Sequence, residues 1–257
     1  MTILIGRIIR WPIREGRPQT VSFLIVLGSW EIAGHLLNFT FLPPLSIVLQ
    51  ASWGMIISGE IPNSLAASLL GLVVGYGLAV LLGILLGSLM GRYQKIYYLM
   101  DIYLNAFLAS PTLIWVPILF VFFGVSRLSQ IAVIFFYAFW LIVANTITGI
   151  RTVDVSLIEM AHSFGANEKQ LFRKVILPGA SPLIMAGLRI AMGRAVKGMI
   201  NGEMFIALIG LGAMIKTYGG QFNAAKVLGI LLVIIVVAVI TTSLVQSLDK
   251  RLTRWTN

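Results

Sequence analysis

The sequence has no cysteine, and its nine Asp and Glu residues are outnumbered by 19 Lys and Arg. Without thiols there is no disulfide and no thiolate metal centre, and two isolated histidines, His35 and His162, do not make a metal site. The acids are scattered along the chain, so no clustered set of acid, base and metal ligand marks an enzyme site. A Gly-x-x-x-x-Gly-Lys-[Ser/Thr] phosphate loop is missing, which excludes ATP binding of the usual kind by this chain. No large polar domain is present to capture a solute, and no internal repeat of the type that builds secondary carriers is found.

What the chain has in abundance is apolar residues. Of 257 residues, 58% are hydrophobic and 11% charged, with a mean hydropathy of +0.95, which places the chain among integral membrane proteins. The net charge of +10 is carried by basic residues that sit between apolar stretches, without interleaved aromatics on a polar domain. They read as topology signals and lipid headgroup contacts, not as a nucleic-acid surface.

The apolar pattern predicts an all-α protein of about six transmembrane helices near residues 21–37, 64–90, 96–123, 130–150, 183–208 and 227–248. Residues 1–18, with Arg7, Arg10, Arg14 and Arg17 among Ile3, Ile5, Ile8 and Trp11, form a basic amphipathic N-terminus without a signal-peptide cleavage site. One transmembrane domain is expected over 19–250, with a short tail over 251–257. The stretch after Pro43-Pro44, with Leu45, Val48, Leu49, Ser52 and Ile56 on one face, is too short to span and is expected on the outer surface.

The second span carries Gly71, Gly75, Gly77, Gly83, Gly87 and Gly91, and the spacings of four among them are the pattern of a helix that lets another approach closely. Pro111 and Pro117 bend the third span, either to line a polar pathway or simply for packing. The fifth carries a polar face through Arg189 and Glu203 that should not meet lipid.

The longest stretch of soluble-protein chemistry lies at 154–190. Asp154 can cap a short helix with Leu157, Met160, Ala161 and Phe164 on one apolar stripe, which Gly165 then stops. Asn167 and Gln170 read as a capping-box restart, and Pro178 and Pro182 are expected to close the second helix. With both termini inside, Arg92, Lys95, Arg151, Lys169, Arg173, Lys174, Lys250, Arg251 and Arg254 join the N-terminal arginines on the cytoplasmic side. Only Arg127, Lys216 and Lys226 fall outside. The 151–182 loop is therefore expected in the cytoplasm.

This loop resembles that of the permease subunits of ATP-binding cassette (ABC) importers, the binding-protein-dependent transport inner-membrane family. Their pattern of Glu-Ala-Ala, three residues, Gly, nine residues, Ile-x-Leu-Pro appears as Glu159-Met160-Ala161, Gly165 and Val175-Ile176-Leu177-Pro178, with Met160 and Val175 as apolar departures. Ser110-Pro111-Thr112, Trp115, Pro117, Phe123-Gly124, Asn145, Gly149-Ile150-Arg151, Gly187-Leu188-Arg189, Gly202-Glu203-Met204 and Gly210-Leu211-Gly212 look like the nitrate, sulfonate and taurine branch, from about residue 20 onward.

The resemblance implies a type I ABC importer permease fold and no enzymatic activity in this chain. It implies two cytoplasmic ABC ATPases carrying ATP-Mg, a second permease copy, an extracytoplasmic solute-binding protein, and residence in a bacterial inner membrane. The chain itself would bind no cofactor. It further implies ATPase coupling through Leu157, Glu159, Met160, Ala161, Phe164, Gly165, Ala166, Leu177 and Pro178. Candidate path residues are Ser110, Pro111, Thr112, Asn145, Asn201 and Glu203. The alternative from a different class is an ion-coupled carrier or membrane-embedded enzyme using Asp101 and Glu203.

Overall fold

The computed structural model describes residues 17–37, 39, 41–206 and 209–252; most of the basic N-terminal segment and the end of the tail lie outside these residues. Among the described residues the regular structure is all helical. In order it comprises α1 (Arg17–Leu37), α2 (Leu45–Ile57), α3 (Glu60–Arg92), α4 (Gln94–Ala109), α5 (Trp115–Phe123), α6 (Arg127–Arg151), α7 (Val155–Ser163), α8 (Glu168–Leu171), α9 (Leu177–Ile206), α10 (Leu211–Gly220) and α11 (Ala224–Leu252). Among the described residues, five helices are long and apolar enough to cross a membrane, and a sixth span results if α4 and α5 count as one broken segment.

The packing centre is α6, and the glycines of α3 explain why. A side chain added at Gly71 would meet Gln130, at Gly75 Ile134, at Gly83 Ile142, at Gly87 Thr146 and at Gly91 Ile150. Each partner stands 59 residues further along, so the two helices run parallel and in register over five turns or more. Ala79 and Ala138, both fully buried, continue the same register. The helix α9 lies antiparallel on α6: Gly187 abuts Asn145, Gly198 abuts Tyr137 and Gly202 faces Val133. Ile134, Ile142, Val143, Ala191, Ala195 and Met199 fill the seams between these three helices.

Backbone chemistry accounts for the broken third span. Ser110 is extended (φ −73°, ψ 140°), as the residue before a proline prefers, and the axes of α4 and α5 diverge by 95°. Phe107 stacks on Trp140 with ring centroids 4.4 Å apart, and the Trp115 indole donates to the Ser110 hydroxyl at 2.8 Å, holding the bend against α6. Pro117 breaks nothing, because it falls in the first turn of α5, where a backbone N–H lacks a helical partner anyway.

Pro178 and Pro182 do not close a helix as the sequence suggested. The chain remains helical from Glu168 to Ile206, with Pro182 inside α9. A π-helical turn at Phe172–Ile176 shifts the hydrogen-bond register just before Pro178, which lets the helix carry a residue without an N–H. The consequence is mechanical, since the loop segment after Glu168 and the fifth span form one continuous rod.

At the ends of the bundle, polar contacts fix the outlying helices. The Glu31 carboxylate of α1 accepts from the Ser46 N–H at 3.0 Å and the Ser46 hydroxyl at 2.8 Å, seating it on the first turn of α2. Gly229 of α11 lies against Ser52 of α2. Met55, Ile61, Leu211 and Ile230 then form a second core that joins α2, α3, α10 and α11.

Candidate functional site

The residues singled out in the sequence gather mainly in two regions, at opposite ends of the bundle. The first is the turn between α7 and α8. Asp154 caps α7, accepting from the Ser156 N–H at 2.9 Å, and this bond holds its carboxyl below the usual aspartate value. Gly165 at φ +75° donates to the His162 carbonyl, and Ala166 donates to Ala161 at 3.0 Å, a glycine-terminated helix end. Asn167 and Gln170 then exchange two bonds of 2.9 Å each, a complete capping box.

These caps set the direction of the side chains. Ile158 of α7 and Phe172, Ile176 and Leu177 beyond it pack against the main core. Leu157, Met160 and Phe164 point away from it, and Phe164 is 84% exposed. Glu159 is exposed, Ala161 and Ala166 are half-buried, and Pro178 is half-buried at the start of α9. The loop thus presents an apolar stripe on one side and is anchored on the other.

The anchor is basic. Arg92 at the end of α3 donates to the Glu168 carboxylate at 2.6 Å, and its guanidinium lies 5.4 Å from the Phe172 ring centroid. Arg151 at the end of α6 sits 3.7 Å from the Tyr97 ring centroid and donates to the Met90 carbonyl. The ends of α3, α4 and α6 and the start of α8 are drawn to one spot. Sequence reasoning missed these clips, since only the charge of each arginine is visible locally.

The second region lies at the far end. Glu203 is 1% exposed, yet its carboxylate is fully engaged. Gln130 Nε2 of α6 donates to Oε1 at 2.7 Å, and the Gly212 N–H in the first turn of α10 donates to Oε2 at 2.8 Å. The Ser68 hydroxyl of α3 also reaches the carboxylate, and it accepts from the Leu211 N–H at 3.0 Å. Gly210 and Gly212 press so closely on Glu203 that a side chain at either would collide with it.

The other path candidates are dispersed. Asn201 donates to the Tyr137 hydroxyl at 2.9 Å in the α6–α9 seam, and Asn145 donates to the Leu141 carbonyl while packing on Gly187. Ser110, Pro111 and Thr112 form the α4–α5 break, with Pro111 exposed. Asp101 hydrogen-bonds Tyr97, the ring under Arg151, so it belongs to the loop end of the bundle while Glu203 belongs to the far end. Among the described residues, no group of three or more His, Cys, Asp or Glu side chains is placed to hold a metal ion.

Comparison with known proteins agrees with this architecture. Residues 79–254 match the family described as binding-protein-dependent transport system inner membrane component. The chain is 30% identical to a taurine transport system permease protein of Escherichia coli (strain K12), covering 96% of this chain and 92% of that one. It is 32% identical to a putative aliphatic sulfonates transport permease protein of Bacillus subtilis (strain 168), covering 91% and 85%. Among solved structures, an inward-facing MetNI methionine ABC transporter shares the fold, with a TM-score of 0.62 at 22% identity over 74% of this chain and 93% of that one. A helical bundle with parallel α3 and α6, a capped loop displaying an apolar stripe, and a family match over most of its length make this chain a multi-pass permease component of the binding-protein-dependent ABC transport family, a transport subunit and not an enzyme.

Proposed function

We propose that this chain forms half of the translocation pathway of an importer for a small anionic solute, such as nitrate, a sulfonate, taurine or a similar organic acid. A second copy supplies the other half, two cytoplasmic ATPases carrying ATP-Mg drive the cycle, and an extracytoplasmic binding protein delivers the solute. The solute class follows the taurine and sulfonate carriers to which the chain is similar. The chain would lie in a bacterial inner membrane with both termini and the α7–α8 loop in the cytoplasm, as the excess of basic residues at that end favours.

The observation that carries this reading is the exposed stripe of Leu157, Met160 and Phe164 on a helix capped at both ends, followed by α8, which Arg92 clips to the bundle through Glu168. An apolar face of this size on a rigid element suits a groove in a partner protein. Glu159, Ala161, Gly165 and Ala166 would shape the contact, and Leu177 and Pro178 would join it to the α9 rod. Ser110, Pro111, Thr112, Asn145 and Asn201 remain the candidates for the path; ATPase movement at α7 would rock α9 and the broken α4–α5 span beside it. Affinity purification of the chain from native membranes, in mild detergent, should recover a phosphate-loop ATPase in equal amount. Recovery of the chain with no ATPase would overturn the reading. Thermal-shift screening of the partner binding protein with taurine, ethanesulfonate and nitrate would then fix the solute.

A further inference from the structure

The engagement of Glu203 is unlike that of a path residue. Its carboxylate meets only donors, and these come from Ser68 on α3, Gln130 on α6 and Gly212 on α10, so one side chain of α9 ties three other helices at the far end of the bundle. The bond to Gly212 is reinforced by position, because an acid at the first turn of the ten-residue α10 meets the positive end of its dipole. The contact is also close, since a Cβ added at Gly210 would meet the Glu203 carboxylate and one added at Gly212 would meet the Glu203 Cβ and the Ile200 carbonyl. A neighbouring bond, from the Leu211 N–H to Ser68, closes a network in which each buried polar group has a partner.

We propose that Glu203 is a positioning residue for the transport cycle. It locks α10 to the outer ends of α3, α6 and α9, so that α9 and α10 move as one body when the ATPases act. This rests on the importer reading. It assigns to Glu203 a mechanical role at the outer mouth in place of contact with the solute. Because α9 is helically continuous with the loop segment that begins at Glu168, the lock would pass movement of that segment on to α10.

The test uses the assembled transporter with its ATPases and binding protein. The chain has no cysteine, so spin labels can be placed at Thr217→Cys on α10 and Leu128→Cys on α6, both at exposed positions. In the wild-type background the label distance should be sharp and unchanged by trapping with ATP and vanadate. In Glu203→Gln the amide faces the Gln130 amide donor, and the distance distribution should widen about twofold while binding-protein-stimulated ATP hydrolysis falls about tenfold. The exchange Glu203→Gln with Gln130→Glu restores one carboxylate and one amide to the pair, and should return both readouts to within about twofold of wild type. Ser68→Ala, a milder change, should shift both in the same direction as Glu203→Gln.

A sharp distance and normal hydrolysis in Glu203→Gln would overturn the proposal, as would a defect that the exchange leaves in place. A wild-type distance that shifts on trapping would overturn it too, by showing that α10 moves independently. If Glu203→Gln does not assemble, Ser68→Ala decides by the same two readouts. Wild-type chain that assembles with no ATPase overturns the importer reading itself, an outcome distinct from all of these.

Discussion

Gly75 of α3 lies so close to Ile134 of α6 that a methyl group added to the glycine would sit 2.8 Å from the Ile134 Cβ and 2.9 Å from the Ile131 carbonyl oxygen. Neither obstacle is the flexible end of a side chain, so the helices would have to part. Gly75→Ala should therefore lower the stability of the detergent-solubilised protein by about 1–3 kcal/mol, the usual cost of overfilling a packed core. Gly77 has nothing within 4 Å, and Gly77→Ala should leave the melting temperature unchanged or slightly raised. Thermal unfolding of the two variants side by side checks the parallel α3–α6 register.

The outward stripe on α7 makes a different prediction. Phe164 and Leu157 are 84% and 42% exposed, so Phe164→Ser and Leu157→Ser should each change stability by no more than about 0.5 kcal/mol. Retention of the ATPase should instead fall by about 10- to 100-fold per substitution, as for anchors at the centre of an interface. Equilibrium binding of purified ATPase to the permease in nanodiscs measures it. Unchanged ATPase affinity in both variants would remove the stripe from the coupling surface.

The parts of this molecule that were legible in the sequence are those fixed by near neighbours. The Asp154 cap, the Gly165 stop and the Asn167–Gln170 box each close within a few residues, and each stands in the structure where its spacing put it. The α3 glycines announced a close partner, but nothing local could say that α6 was the partner or that the helices run parallel. The prolines show the same limit from the other side. Pro111 breaks its span and Pro182 does not, because the outcome depends on the π-helical turn upstream of the second and the aromatic cluster packed around the first. Glu203 was legible as a charge that lipid would reject, whereas its donors Ser68 and Gln130 come from helices distant in the chain.

Gly165 joins the two short helices with φ +75° and open space around its Cα. A Cβ there meets nothing within 4 Å, so the main cost of Gly165→Val is backbone strain, about 1–2 kcal/mol for a residue forced into the left-handed region. That strain is local and exposed, and membrane insertion and the fold of the bundle should survive it. The angle between α7 and α8 should not, and ATP-driven uptake should fall while the amount of chain in the membrane stays the same. Quantifying membrane-inserted chain and uptake in the same cells separates the two effects. Normal ATP-driven uptake would show that this turn does not set the lever.

Asp154 offers a pH test of the same element. Its carboxyl accepts from the Ser156 N–H, which holds its folded value below the ordinary one of 3.8. A depressed carboxylate contributes stability that is fully present above the ordinary value and fades as the pH falls through the folded one. Amide exchange across 155–163, corrected for intrinsic rates, should therefore quicken as the medium is taken from about pH 6 to below about pH 4, the range in which carboxylates titrate. Asp154→Asn keeps an acceptor oxygen without a titrating group, and the pH response should flatten in that variant. Asp154→Ala removes the cap and should exchange fast at both ends of the range. If the Asn variant kept the wild-type pH response, the charge at Asp154 would not be what holds the start of α7.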